Sequence, residues 1–246
     1  MKKIIILIAV IVFCSTAKAQ IAKGRMMLGA GFNTNSQNHK DISTDTNRNI
    51  NTYENKTSNF NIELRYGYFI SDHLMLGVFG GYGFYQNKGT QIYVNYYNPS
   101  NNSNQTNTSN NNTVSGGLFA RYYTILGTSR FAFYGQISSG YGGGKNKSND
   151  TFTGPFNHIS SESHGNHSQF STYINPGLVY FINNHIAIET SFGSAGFYTQ
   201  RTKTYTGNTT NENTNRGFNA SLSLYSLYFG LNFYFGGNSA GKETKG

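Results

Sequence analysis

Apolar and polar residues alternate at every position along several segments of this chain, each about ten residues long. Side chains of a β-strand point to its two faces in turn, so a period of two gathers the apolar residues on one face. The pattern predicts eight strands. They lie at residues 25–32, 60–68, 74–84, 114–122, 131–141, 170–181, 186–193 and 227–235.

The connections between these segments are short and long in strict alternation. Three are tight turns, and four are long stretches rich in Asn, Ser and Thr, among them 98–113, 142–168 and 199–216. We expect the long stretches to be mobile polar loops, because they lack the apolar residues needed to fold alone. The alternation places both ends of the sheet on the side of the short turns.

Two positions disturb the alternation. Pro176 has no N–H to donate, so the sixth strand should contain a bulge or a locally unpaired position. Leu222 and Leu224 are out of phase with the last strand, which predicts a second bulge near Tyr225.

The composition favours a sheet that faces lipid over one that packs in a soluble domain. Hydrophobic residues make up only 37% of the chain while aromatic residues reach 15%, as expected when one face is apolar and aromatic residues lie at two membrane interfaces. In lipid every backbone polar group needs a protein partner, so such a chain crosses only as a closed sheet. We predict an all-β fold, an eight-stranded antiparallel up-and-down transmembrane β-barrel. A soluble secreted β-sandwich is the structural alternative.

The first residues have the pattern of a secretory signal peptide. Lys2 and Lys3 precede an apolar run over residues 4–13, and Ala17 and Ala19 form a small-residue exit. We therefore predict three parts: a cleaved signal peptide at 1–19, the barrel at 20–235 and a short polar tail at 236–246.

Removal of that segment changes both the cysteine count and the charge. Cys14 is the only cysteine, and although a lipid anchor there is an alternative, cleavage after residue 19 leaves no thiol and no disulfide. Three lysines are lost, so the formal charge falls from +9 to +6. The remaining excess lies mostly in the long polar stretches, where it either keeps exposed segments soluble or attracts anionic glycolipid phosphates.

The last predicted strand resembles the C-terminal strand of the small outer-membrane β-barrel superfamily, the OmpA/OmpX/OmpW-like domains of Gram-negative bacteria. Gly230, Phe233 and Phe235 match the signal that the barrel-assembly machinery reads in that family. The hairpin from Asn175 to Glu189 is similar to barrels of the Bacteroidota. The resemblance implies a place in the cell outer membrane among lipids and lipopolysaccharide, and a transient contact with the assembly machinery.

Several polar residues fall on the inward phase of their strands, where a narrow barrel keeps water out. Charges there are tolerated only in paired, hydrogen-bonded networks. We predict such a network, either as a plug that fills and rigidifies the barrel or as a gate in a small pore. Its members are Arg25, Glu63, Arg65, Arg121, Gln136 and Glu189.

Candidate chemistry is sparse elsewhere. His158, His164 and His167 share one long polar stretch without a defined metal-ligand spacing, so we expect solvated histidines, no metal and no cofactor. No His lies within a predicted strand, which leaves a wall nucleophile without a base. We expect a non-enzymatic protein with a structural or surface-interaction role. Host or cell-surface ligands bound by its loops are the candidate partners, and no nucleic acid is expected. A narrow porin-like channel is the first alternative and a lipid A-modifying enzyme the second.

Overall fold

The computed structural model describes residues 21–46, 49–126, 130–222 and 228–236. The signal-peptide segment, the position near Tyr225 and the tail beyond Gly236 lie outside these residues. The described chain forms one antiparallel sheet of ten strands and one turn of 3-10 helix, Pro99–Asn101. The strands are β1 (Arg25–Thr44), β2 (Ile50–Phe69), β3 (Leu74–Val94), β4 (Ser103–Ile125), β5 (Phe131–Thr153), β6 (His158–Phe181), β7 (Ile186–Ser191), β8 (Gly193–Thr206), β9 (Thr209–Leu222) and β10 (Tyr228–Gly236).

Eight of these strands pair in a closed ring. Neighbours along the chain pair from β1 to β7, β10 pairs with β7, and β10 also pairs with β1 through Met27 opposite Tyr234. The prediction that the first and last segments join is therefore confirmed. The ring has the expected eight strands, but the sheet has ten, because β8 pairs with β6 and β9 pairs with β8.

The break between β7 and β8 lies opposite Pro176. Below this residue β6 pairs with β7, with Gly177 opposite Ser191, and above it β6 pairs with β8, with Ile174 opposite Ala195. Two residues of β6 thus face three of its partner, which is a β-bulge. Proline cannot donate to the ladder, so the partner strand breaks at the position where that donor is missing.

The expectation that the long polar stretches form loops is wrong. The Asn-rich stretches continue the strands, and within the described ranges the chain reverses between them at short tips such as 95–102, 154–157 and 207–208. The register of the pairing is set in the apolar half of the strands and continues into the polar half. There, polar side chains of neighbouring strands hydrogen-bond to each other. Examples are Asn107 Nδ2 to Asp150 Oδ1 at 2.5 Å and Gln86 Nε2 to Asn110 Oδ1 at 2.9 Å.

The half of the sheet nearer the short turns has two contrasting faces. Its outer face is a continuous exposed apolar band, with Leu64 and Leu118 exposed by 58% and 66%. A membrane-crossing strand needs about 9–11 residues, whereas β4 and β6 have 23 and 24. The polar half of each long strand therefore extends beyond the apolar band, as a protruding sheet.

In the protruding sheet the ring is open on one side. Beyond Phe32, β1 pairs only with β2, and among the described strands β9 pairs only with β8. Among residues 21–46, 49–126, 130–222 and 228–236, no helix is long and apolar enough to cross a membrane.

Candidate functional site

The carboxylate of Glu189 lies inside the ring at the centre of a polar cluster. Its side chain has no solvent exposure, and it receives hydrogen bonds from Arg65 of β2 and Arg121 of β4. Arg121 Nη1 lies 2.6 Å from Glu189 Oε2 and Arg121 Nη2 lies 3.4 Å from Oε1. Each of these residues occupies the inward phase of its strand. Closure of the ring therefore brings Arg65 and Arg121, which are distant in sequence, to the carboxylate of Glu189.

Three further side chains complete the cluster. Gln136 Oε1 accepts from Arg121 Nε at 2.9 Å and Nη2 at 2.6 Å, and Glu63 pairs with Arg65 Nε. Asn232 Nδ2 donates to Glu189 Oε2 at 2.8 Å. Two arginines thus face two glutamates and the formal charge is balanced, which a desolvated interior requires. We call these six residues the charge network: Glu63, Arg65, Arg121, Gln136, Glu189 and Asn232.

Arg25 is the one predicted member that the structure places elsewhere. Its Nη2 donates to the carbonyl of Asn184 at 2.6 Å, and its guanidinium lies 5.9 Å from the ring centre of Tyr234. It begins β1 at the short-turn end, below the other five predicted residues. The sequence pattern correctly predicts that Arg25 points inward. Its height within the ring depends on the stagger between strands, which the pattern does not contain.

Sequence reasoning missed the aromatic partners of the network. The guanidinium of Arg121 lies 4.1 Å from the ring centre of Tyr134, and that of Arg65 lies 4.6 Å from that of Tyr228. Such stacking is favourable and strongest where water is excluded. The available signal was the inward phase of both tyrosines. Gly31 makes room for Tyr228, because a Cβ at that position would overlap the phenol ring.

An apolar layer closes the ring below the network. Met27, Phe69 and Met75 are fully buried, and Tyr123 and Tyr234 lie between them with hydroxyl oxygens 3.3 Å apart. Tyr123 also accepts from Arg121 Nη1 at 3.2 Å, which joins this layer to the network. The lumen at the short-turn end is therefore filled with side chains.

A cavity of about 490 Å³ lies above the network. Its base includes Glu63, Arg65, Gln136, Tyr134 and Tyr228. Small residues on the walls leave the space open, among them Gly81, Gly83, Ser138, Gly140 and Ser171. The arrangement is a cup, closed below and lined by polar side chains.

The three histidines of the polar stretch lie on β6 and do not form a cluster. His167 is inward and buried, with its Nε2 2.9 Å from Thr113 Oγ1, whereas His158 and His164 are exposed. Within residues 21–46, 49–126, 130–222 and 228–236, no group of three or more His, Cys, Asp or Glu side chains could hold a metal ion.

The residues that match the assembly signal lie on β10. Phe233 and Phe235 point outward and are 45% and 41% exposed, while Gly230 is inward and faces the Glu189 side chain. Their role in assembly stays a prediction.

Comparison with known proteins gives a family match and several structural likenesses. The family model described as outer membrane protein beta-barrel domain matches residues 5–187. No curated protein matches. The fold is similar to the outer membrane protein OprG of Pseudomonas aeruginosa, at 14% identity and TM-score 0.40, over 90% of this chain and 100% of that one. It is also similar to Ail, the attachment invasion locus protein of Yersinia pestis, at 15% identity and TM-score 0.31, over 87% and 99%. Neisserial surface protein A gives 14% identity and TM-score 0.29, over 87% and 98%.

Proposed function

The chain belongs to the outer membrane protein beta-barrel domain family, and we propose that it is a non-conducting, non-enzymatic member whose protruding sheet makes contacts at the cell surface. As a member of this family it lies in the outer membrane, with its apolar band against lipid. The closed lumen is the single observation that carries the proposal.

Two successive layers support a lumen that does not conduct. The charge network spans the ring from β2 to β7 through Arg65, Arg121 and Glu189. Beneath it lie side chains with essentially no exposure, including Met27, Phe69 and Tyr234. An ion would have to break charge-assisted hydrogen bonds in a dry interior and then cross an apolar layer, and both steps are costly.

The protruding sheet supports a role in surface contacts. In bacterial barrels the short turns face the periplasm, so we assign the polar halves of the strands to the cell exterior. These halves present exposed amide, hydroxyl and charged groups on a hydrogen-bonded frame instead of on mobile loops. A preformed surface binds host or cell-surface ligands with a smaller ordering cost than a disordered loop.

Planar-bilayer recording with the purified mature protein tests the closed lumen. We expect no single-channel steps in potassium chloride from the wild type. The variant Glu212→Gln is the matched control, because it neutralises an exposed carboxylate of the protruding sheet, paired with Arg201 and Lys203, and leaves the lumen intact. Regular conductance steps from the wild type would overturn the proposal.

The cavity above the network favours a narrow channel as the second candidate. Its open space reaches down to Arg65 and Arg121, so a displacement of these two side chains would be needed to extend it. If the network is a gate, Arg121→Gln should produce or enlarge conductance steps. If it is a plug, the same variant should lower stability and leave the bilayer silent.

A further inference from the structure

We propose that the cavity above the charge network is a binding site for an uncharged saccharide of one or two sugar rings. This inference goes beyond the surface-contact role proposed above. It stands on hydrogen-bonding groups at the base of the cavity that the charge network does not use, on the balanced charge of that base, and on its aromatic side chains.

The base presents unused polar atoms on side chains that are otherwise buried. Tyr134 lines the cavity and is 95% buried. Arg65 and Gln136 are each 93% buried. Arg65 uses Nε and Nη1 within the network while its Nη2 has no partner there, and Gln136 uses only Oε1, which leaves its amide N–H groups. Both side chains line the cavity, so a ligand in it can hydrogen-bond to these atoms.

The base offers both hydrogen-bond donors and acceptors. The Nη2 of Arg65 and the amide of Gln136 donate, one carboxylate oxygen of Glu63 accepts, and the hydroxyls of Tyr134 and Tyr228 do either. Glu63 is 30% exposed and pairs with Arg65 through one oxygen only. A ligand that satisfies this set needs several groups that both donate and accept, which is the chemistry of neighbouring sugar hydroxyls.

The charge of the base selects an uncharged ligand. Arg65 and Arg121 are already balanced by Glu63 and Glu189 within hydrogen-bonding distance. An anion would find no excess positive charge, and a cation no excess negative charge, while either would lose its hydration shell. A neutral polyol avoids this cost.

The shape of the cavity suits a ring-shaped ligand. Its volume of about 490 Å³ falls in the range of about 300–1,000 Å³ of small-molecule sites. Phe79, Tyr173 and Tyr228 line it, and sugar rings carry C–H faces that pack on aromatic rings while their edges hydrogen-bond. A ligand can enter from the protruding sheet, whose wall is open between β1 and β9 among the described strands.

Calorimetric titration of the full mature protein tests the proposal, in a detergent without a sugar headgroup. Maltose, sucrose and lactose are the neutral probes, and inorganic phosphate and spermidine are the charged ones. We expect saturable binding of at least one disaccharide at about 20 mM ligand, a concentration that detects millimolar dissociation constants. Phosphate and spermidine should give no saturable heat.

Four variants locate the site. Tyr134→Phe and Tyr228→Phe each remove one hydroxyl and should weaken the disaccharide about three- to ten-fold, as expected for one hydrogen bond. Tyr122→Phe is the matched control, because this tyrosine points outward and is 55% exposed. This variant should bind the disaccharide with wild-type affinity. Ser171→Trp fills the cavity and should abolish binding in protein that still folds.

Three results would overturn the inference. One is the absence of saturable heat with all three disaccharides, and another is tighter binding of phosphate or spermidine than of any sugar. The third is wild-type affinity in both Tyr134→Phe and Tyr228→Phe, which would place the sugar elsewhere. None of these results depends on bilayer conductance, so failure here is distinguishable from failure of the closed-lumen proposal.

Discussion

Replacing Glu189 by Gln should strongly destabilise the ring. The carboxylate accepts from Arg65, from Arg121 at 2.6 and 3.4 Å, and from Asn232 at 2.8 Å, with no solvent exposure. The amide keeps the volume but turns one acceptor into a donor that faces two guanidinium groups. Removing one partner of a buried ion pair costs about 3–5 kcal/mol, because the other charge is left uncompensated. We expect a loss of this size in the free energy of unfolding.

Equilibrium unfolding in urea, with the protein in detergent micelles, measures this loss through the far-ultraviolet circular dichroism of the sheet. Glu212→Gln is the control, since its ion pair with Arg201 is exposed to water and exposed pairs contribute little; its unfolding curve should superimpose on that of the wild type. Should Glu189→Gln unfold at the wild-type urea midpoint with an unchanged slope, the reasoning that the ring interior is desolvated around the network would be refuted.

Three further predictions concern packing, pH and assembly. Gly31→Ala puts a Cβ into the stacked tyrosine and should cost about 1–3 kcal/mol in urea unfolding, whereas Gly89→Ala, with nothing within 4 Å, should not. Burial lowers the pKa of His167 in the protruding sheet, so the unfolded chain binds its proton first as the pH falls. The free energy of unfolding should therefore fall as the pH drops below about 6.5. Its dependence on pH should be weaker in His167→Asn than in the wild type. Phe235→Ser should lower the yield of protein in the outer membrane fraction, and Phe156→Ser, at an exposed tip, should leave it unchanged.

The alternation of residues predicted the faces of the strands correctly. Leu64, Leu118 and Leu231 lie on the exposed apolar face and Arg65, Arg121 and Glu189 point inward. This information is local, since two successive side chains of any strand must point to opposite faces. The bulge at Pro176 was predictable for the same reason, because proline itself lacks the N–H that would donate to the neighbouring strand.

The polar stretches show where local information is insufficient. Residues 103–113 contain almost only Asn, Ser, Thr and Gln, a composition that favours disorder when the segment is considered alone. In the structure this segment pairs with β3 from Ser103 onward and with β5 from Asn104 onward. Its register comes from the apolar half of the same strands, so the extension adds hydrogen bonds without a new loop-closure cost.

The sequence by itself determined the strand phase, the apolar outer face and the set of inward polar residues, because each depends on the order of neighbouring side chains. Only the tertiary structure decided which inward residues share one height in the ring, since that depends on the stagger between strands far apart in the chain. It therefore separated Arg25 from Arg65 and Arg121. It also stacked Tyr134 and Tyr228 on the arginines and left the cavity above them.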